Sequence, residues 1–241
     1  VGSRRGWEDA LLTDKSLGAQ SEFVRQLRDS LDFIETQAAA SSDSGPEVKL
    51  RFNIGIIESD DERFKQVAAS FARTLNSNHP SRRYKLVGLY DMFDSDEALA
   101  KYEALKAAKG NEQWLWHGTR ASNVLSILAK GLYVPPATAS FATGRMFGNG
   151  IYGSRQSTKS LNYSGGVWAG QRLSNKAFMF SMQAVMGKSY KPTSWGQNWR
   201  QVNRDYDSID VAAGTAGVTN HEAVISNTDQ IRMRYLCEFS L

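Results

Sequence analysis

Cysteine is almost missing from this 241-residue chain: Cys237 stands alone. One thiol cannot close an intrachain disulfide or build a cysteine-rich zinc site, so both are excluded, and a reducing compartment is expected. Histidine is nearly as scarce. His79, His117 and His221 are too scattered to suggest a metal cluster, and no metal is expected. No apolar run approaches the ~20 residues that cross a bilayer, so no membrane partner is expected. The opening stretch VGSRRGWEDALL has neither the long apolar centre nor the cleavage site of a secretory leader. The chain begins at Val1 rather than Met, and a piece of a longer protein is the expectation. Long charge runs are missing too. The net charge of +4 is a mild bias toward polyanions, but the basic residues form only small knots at Arg82-Arg83 and Arg232/Arg234, read as solvated faces.

What is present reads as an ordinary globular composition, 41% hydrophobic and 22% charged. Phe23, Leu27, Leu31 and Ile34 recur at helical spacing, and AAASSDSGPE follows as a small-residue linker. Residues 1–46 are therefore set apart as an N-terminal helix and linker, with 47–241 as the main domain. LRFNIGII (50–57) is apolar enough for a buried strand. A helix is expected over DDERFKQVAASFARTL, whose Phe64, Val67, Ala68, Phe71 and Leu75 share a face. YKLVGLYDMF reads as a strand, and SDEALAKYEALKAA as a helix opened by Ser95. WLWHGT precedes a third helix, ASNVLSILAK, which Gly131 ends. Residues 133–150 form a long loop, of the kind that is more often functional than accidental.

AFMFSMQAVM (177–186) alternates as a half-buried strand, and 187–220 is a polar stretch in which Trp195 and Trp199 are expected to pack against a sheet. HEAVIS and IRMRYLCEF close the chain as strands, the latter placing Ile231, Met233, Tyr235, Cys237 and Phe239 opposite Arg232, Arg234 and Glu238. His221 reads as incidental. The sum is α+β with a mostly antiparallel sheet, not a run of βαβ units.

GNGIYG (148–153) matches the dinucleotide pattern G-x-G-x-x-G. That pattern needs a strand before it and an acid about 20 residues later for the ribose. ATASFATGRMF precedes it as a loop, and GGVWAGQRLSN (165–175) holds no acid, so the doubly wound reading fails. What remains is a polar constellation of Tyr152, Ser160 and Tyr163. If STKSLNYS is helical, Ser160 and Tyr163 share a face, and the glycines at 148, 150 and 153 let backbone approach a flat ligand.

Three ordered blocks, LWHGTRASNVLSILAKGL, TGRMFGNGIYGSRQSTKSLNYS and NHEAVIS, together resemble the catalytic domain of the poly(ADP-ribose) polymerase family, the diphtheria-toxin-like ADP-ribosyltransferases. The resemblance runs from about residue 50 to the end. It implies two packed, mostly antiparallel sheets with flanking helices around an NAD cleft. It also implies transfer of ADP-ribose from NAD, as substrate, to a protein or nucleic-acid acceptor, with nicotinamide released and poly(ADP-ribose) elongation open.

Carried over by position, His117, Tyr152 and Glu222 would form the catalytic triad, with His117 on a ribose hydroxyl. Gly118 and Ser160 would hold the carboxamide and Tyr163 would stack on the nicotinamide ring. Thr119, Asn123, Gly150 and Lys159 complete the expected NAD contacts, Asn123 on the adenosine side. The 133–150 loop resembles the family's donor-site loop, and 185–200 its acceptor side. The chain departs from the family pattern at Gly153, where an aromatic usually follows GIY, at Ala223, where a bulky residue follows the glutamate, and at Tyr133. Residues 21–37 resemble only the last helix of the family's regulatory helical domain. DNA-dependent activation through an upstream domain, and a nuclear or cytoplasmic location, are further expectations. Transfer of a single ADP-ribose only, or a catalytically weak NAD or ADP-ribose binding module, is the alternative.

Overall fold

The computed structural model describes residues 50–134, 146–165, 167–170, 173–194 and 205–241. The expected helix at 21–37, the linker, Trp195, Trp199 and most of the 133–150 loop lie outside them. Among the described residues two sheets pack together with four helices.

The first sheet joins β1 (Asn53–Ile57), β2 (Lys85–Phe93), β3 (Glu112–Gly118), β5 (Lys176–Val185) and β9 (Ile231–Ser240) in the antiparallel order β1-β2-β9-β5-β3. The second joins β4 (Ile151–Gly153), β6 (Ser189–Tyr190), β7 (Ser208–Val211) and β8 (Glu222–Ile225) in the order β4-β8-β7-β6. Only the β6–β7 pair is parallel. A backbone bridge between Trp116 and Ser154 fastens the end of β4 to β3 and so ties the two sheets.

Helix α1 (Glu62–Arg73) begins where Asp61 accepts the Arg63 N–H at 2.8 Å, a cap worth about 1 kcal/mol, and it buries Val67 and Phe71. Ser95 caps α2 (Asp96–Lys109) in the same way through Ala98, and α2 buries Tyr102. Helix α3 (Ala121–Lys130) buries Val124 and Leu128 and stops at Gly131. Helix α4 (Ser157–Ser164) differs: its residues 157–162 are all buried despite being mostly polar. It is wedged between α1, β3 and β5, and its hydroxyls bond to those neighbours. Ser157 Oγ donates to the Phe71 carbonyl at 2.9 Å, and Asn76 N–H donates to Thr158 Oγ1 at 2.8 Å.

Successive strand residues face opposite ways, and the first sheet is covered on both faces. One face packs Val67 and Phe71 of α1 against Trp116, Met179, Tyr235, Cys237 and Phe239. The other packs Leu115, Phe180, Met182, Met233 and Leu236 against α3 and the second sheet. This corrects two expectations. β5 is a central strand buried on both faces, Ser181 included, rather than a half-buried one. β1 is an edge strand rather than a buried one: only Ile57 is buried, and Ile56 is 74% exposed.

Two further differences follow from tertiary pairing. The polar stretch 187–220 contains β7, whose four residues are all buried. Arg232 and Arg234 are not on a solvated face: Arg234 lies 3.7 Å from Asp91, and Arg232 lies 3.9 Å from both Asp94 and Glu103. Cys237 is fully buried at the middle of the sheet, where desolvation pushes its thiol far above the usual range. No helix among the described residues is long and apolar enough to cross a membrane.

Candidate active site

The site is assembled where the end of β3, the β4 strand, helix α4 and the start of β8 meet. Gly118 ends β3 with α4 lying directly against it. A Cβ at this position would overlap the Ser160 carbonyl oxygen, so only glycine permits the approach. Two more bonds close the seam. Ser160 Oγ donates to the Trp116 carbonyl at 2.8 Å, and Thr119 N–H donates to Ser164 Oγ at 3.2 Å.

His117 alternates to the face opposite Trp116. Its Nδ1 lies 2.8 Å from the Tyr152 carbonyl oxygen. A carbonyl can only accept, so Nδ1 carries the proton and Nε2 presents a lone pair. Desolvation lowers the imidazole below its ordinary value, and the Lys159 ammonium works in the same direction against the pull of the Tyr152 carbonyl. The ring is therefore neutral at pH 7.

Lys159 and Glu222 form an ion pair at 2.5 Å, with side chains only 5% and 15% exposed. Burial holds the lysine below its usual pKa, and the carboxylate partly offsets this. The same ammonium lies 5.7 Å from the centre of the Tyr163 ring, within cation–π range. Burial and the Glu222 carboxylate both raise the Tyr163 phenol. Tyr163 keeps 37% of its surface open, and its edge meets Trp168 at 6.2 Å. Lys159 thus lies within electrostatic reach of His117, Glu222 and the Tyr163 ring.

The remaining expected residues are arranged differently. Tyr152 is a packed residue set against Phe147, Ile209 and Val224. Its hydroxyl donates to the Gly148 carbonyl at 2.9 Å and accepts the Phe147 N–H at 3.0 Å, while its backbone carbonyl orients His117. Asn123 donates to Thr119 Oγ1 at 3.1 Å, pinning the turn between β3 and α3. Gly150 and Gly153 bring backbone close to protein rather than to an open ligand face: their added Cβ atoms would meet Val224 Cγ1 at 2.5 Å and Met182 Cε at 2.6 Å.

Sequence reading passed over one network entirely. His221, taken as incidental, is buried and places its Nε2 2.7 Å from Asp210 Oδ1, while its Nδ1 accepts the Arg155 N–H at 2.9 Å. Asp210 also takes the Arg155 guanidinium at 2.7 Å, and Ser154 Oγ donates to the His221 carbonyl at 2.7 Å. These bonds fix the residue next to Glu222. A second set braces α4 from outside: Trp168 Nε1 donates to the Lys159 carbonyl at 3.1 Å, and His79 Nδ1 lies 3.0 Å from Thr158 Oγ1.

Two packed, mostly antiparallel sheets with flanking helices make up the α+β ADP-ribosyltransferase fold. The chain belongs to the family described as the poly(ADP-ribose) polymerase catalytic domain, whose model matches residues 61–241. It is 31% identical over 152 residues to a putative poly [ADP-ribose] polymerase-like protein, 100L, of Invertebrate iridescent virus 6, covering 60% of this chain and 79% of that protein. It is 36% identical over 115 residues to poly [ADP-ribose] polymerase 2 of Homo sapiens, covering 47% of this chain and 19% of that protein. It is 25% identical over 238 residues to protein mono-ADP-ribosyltransferase PARP4 of Homo sapiens, covering 93% of this chain and 13% of that protein. The chain thus spans most of the viral relative but a small fraction of the two human ones. Its relatives include poly- and mono-ADP-ribosyltransferases, and the family acts on NAD.

Proposed function

We propose that this chain is an NAD-dependent ADP-ribosyltransferase, with residues 47–241 as the catalytic unit. The observation that carries the reading is the buried Lys159–Glu222 pair, held against the Tyr163 ring, with the Lys159 charge reaching His117.

Cleaving the nicotinamide–ribose bond builds an oxocarbenium-like sugar, as glycoside hydrolysis does. The electron pair of the broken C–N bond leaves with nicotinamide, which departs as a neutral molecule, so no general acid is needed. Lys159 occupies Oε2 of Glu222, leaving Oε1 to accept a bond from the ribose 2′-hydroxyl and to stabilise the developing positive charge. The acceptor's nucleophilic oxygen or nitrogen then bonds to the ribose carbon, and its proton passes to Glu222 or to water. His117 accepts a ribose hydroxyl at Nε2, Tyr163 stacks on nicotinamide, and the backbone of Gly118 with the Ser160 hydroxyl grips the carboxamide. Tyr152 holds His117 in its tautomer through its carbonyl. Thr119, Asn123 and Gly150 act by shaping the walls.

The acceptor is a protein or a nucleic-acid end, and the same carboxylate serves elongation where the acceptor is a ribose hydroxyl of a previous unit. The test is incubation with NAD labelled in its adenosine half, following nicotinamide release and label transfer, beside Glu222→Gln. Losing one such electrostatic group lowers turnover about 10²–10³-fold. Binding without turnover in both proteins would make this an NAD-binding module instead.

A further inference from the structure

A second concave site lies on the opposite face of the first sheet. Trp116, Ser181 and Tyr235 are successive register partners across β3, β5 and β9 and so share a face, with Trp114 two residues along β3 on the same side. His117 points the other way. Above this face α1 presents Arg63, Gln66, Ser70 and Arg73, spaced three, four and three apart so that they form one stripe. Arg155, just past β4, closes one end. Helix and sheet enclose a cleft of about 420 Å³ lined by these residues, with Thr74 beside them and no carboxylate among the lining side chains.

Three properties of the lining point to one ligand chemistry. The indole of Trp114 is 49% exposed and nearly parallel to the Tyr235 ring, at 11° and 6.0 Å between centres, which provides a flat aromatic floor. The Arg63 and Arg155 guanidiniums are pre-oriented by Asp61, Asp91 and Asp210, and each keeps about half of its surface open. Arg73 is exposed and has no hydrogen-bonded or charged partner among the described residues. Guanidinium forks match phosphate oxygens, and an exposed indole stacks a base whatever its identity. The volume suits one nucleotide, being at the small end of ligand pockets.

We propose that this cleft is a second nucleotide site, taking a base against Trp114 and its phosphates between Arg73 and Arg155. An extended acidic peptide fits less well. It would need a strand edge for backbone hydrogen bonds, but Trp116 of β3 already exchanges its own with Ser154, the cleft opens on the sheet face and its floor is aromatic. The proposal does not depend on turnover of NAD in the other cleft.

ADP titrated calorimetrically into the intact chain tests it, with wild type compared with Arg73→Gln, Trp114→Ala and Tyr163→Ala. Both cleft variants alter exposed side chains, and thermal melting checks that they fold. The expected result is an ADP site weakened by about tenfold or more in Arg73→Gln, as loss of a charge-assisted bond implies. It is weakened similarly in Trp114→Ala and is unchanged in Tyr163→Ala. Inorganic pyrophosphate should bind more weakly than ADP and ignore the Trp114 change. A 5′-phosphorylated oligoadenylate separates the two sources of such a unit, binding more tightly than ADP if a strand end is the natural occupant and no more tightly if a free nucleotide is. The proposal is overturned if ADP binds Arg73→Gln and Trp114→Ala as tightly as wild type, or if no ADP binding is seen at all. It is equally overturned if pyrophosphate matches ADP, or if an oligoglutamate peptide binds more tightly than ADP.

Discussion

Gly153 and Ala223 face each other as register partners across β4 and β8. These are two of the positions at which the sequence is expected to depart from the family's pattern, and the pairing makes them one feature. Ala223 is fully buried in the cluster that contains Leu115 and Met182, the residues that a Cβ on Gly153 would meet at 3.2 Å and 2.6 Å. Two small residues on adjacent strands leave a space, and the Met182 side chain fills it from the other sheet.

Gly153→Phe alone is therefore expected to overpack this junction, at a cost of about 3 kcal/mol, the upper part of the usual range. Adding Met182→Ala should recover a large part of that loss. Urea unfolding of the single and double variants measures both. Equal stability of the two proteins would show that Met182 does not occupy the contested space.

At Gly118 the neighbour is backbone, which cannot step aside. Gly118→Ala should separate α4 from β3, lowering stability by about 3 kcal/mol or more and abolishing NAD binding. Thermal melting and calorimetric NAD titration check it, and a folded variant with unchanged NAD affinity would contradict the seam described for Ser160.

His221→Ala and Asp210→Asn break the bonds that fix the backbone beside Glu222. Turnover should fall about tenfold or more while KM for NAD changes much less, since the contact Glu222 makes to the ribose strengthens as positive charge develops. Asp210→Glu should restore part of the loss. Steady-state kinetics read the split, and a rise in KM at constant kcat would instead assign the network to substrate binding.

Burial lowers both His79 and His117 below their ordinary values. Between those lowered folded-state values and the unfolded value near 6.5, the unfolded chain binds more protons, so stability must drop as pH falls through about 6.5. Each histidine contributes a slope of at most about 1.4 kcal/mol per pH unit. Urea midpoints at several pH values between 5 and 8 should show this, and His79→Gln should flatten the profile. An unchanged slope in that variant would mean that His79 is already charged in the fold.

Elements whose signal is local were legible in the sequence. The apolar face of α1, the α2 cap at Ser95, the Gly131 stop after α3 and the alternation along β9 all appear where their own residues predict. The failures are of another kind. β7 is four residues inside a polar stretch, and only its pairing with β8 defines it. The exposure of β1 depends on having no neighbour beyond it among the described residues. Of the candidate site, the motifs singled out Lys159 and Glu222, which the structure pairs, and Tyr163 and His117, which lie within reach of the Lys159 charge. They gave no view of Asp210 and Arg155, which reach His221 only across the β7–β8 register and the turn after β4. Tyr152 shows the same limit: its ring packs inward, and only its carbonyl reaches the histidine.

The solitary Cys237 sits mid-sheet with its thiol held in the unreactive, protonated form. Alkylating reagents can reach it only when β9 parts from β2 and β5, its partners on either side. The protein thus carries a built-in stopwatch for the opening of its central strand, with a single mass increment per molecule and no competing thiol to confuse the reading.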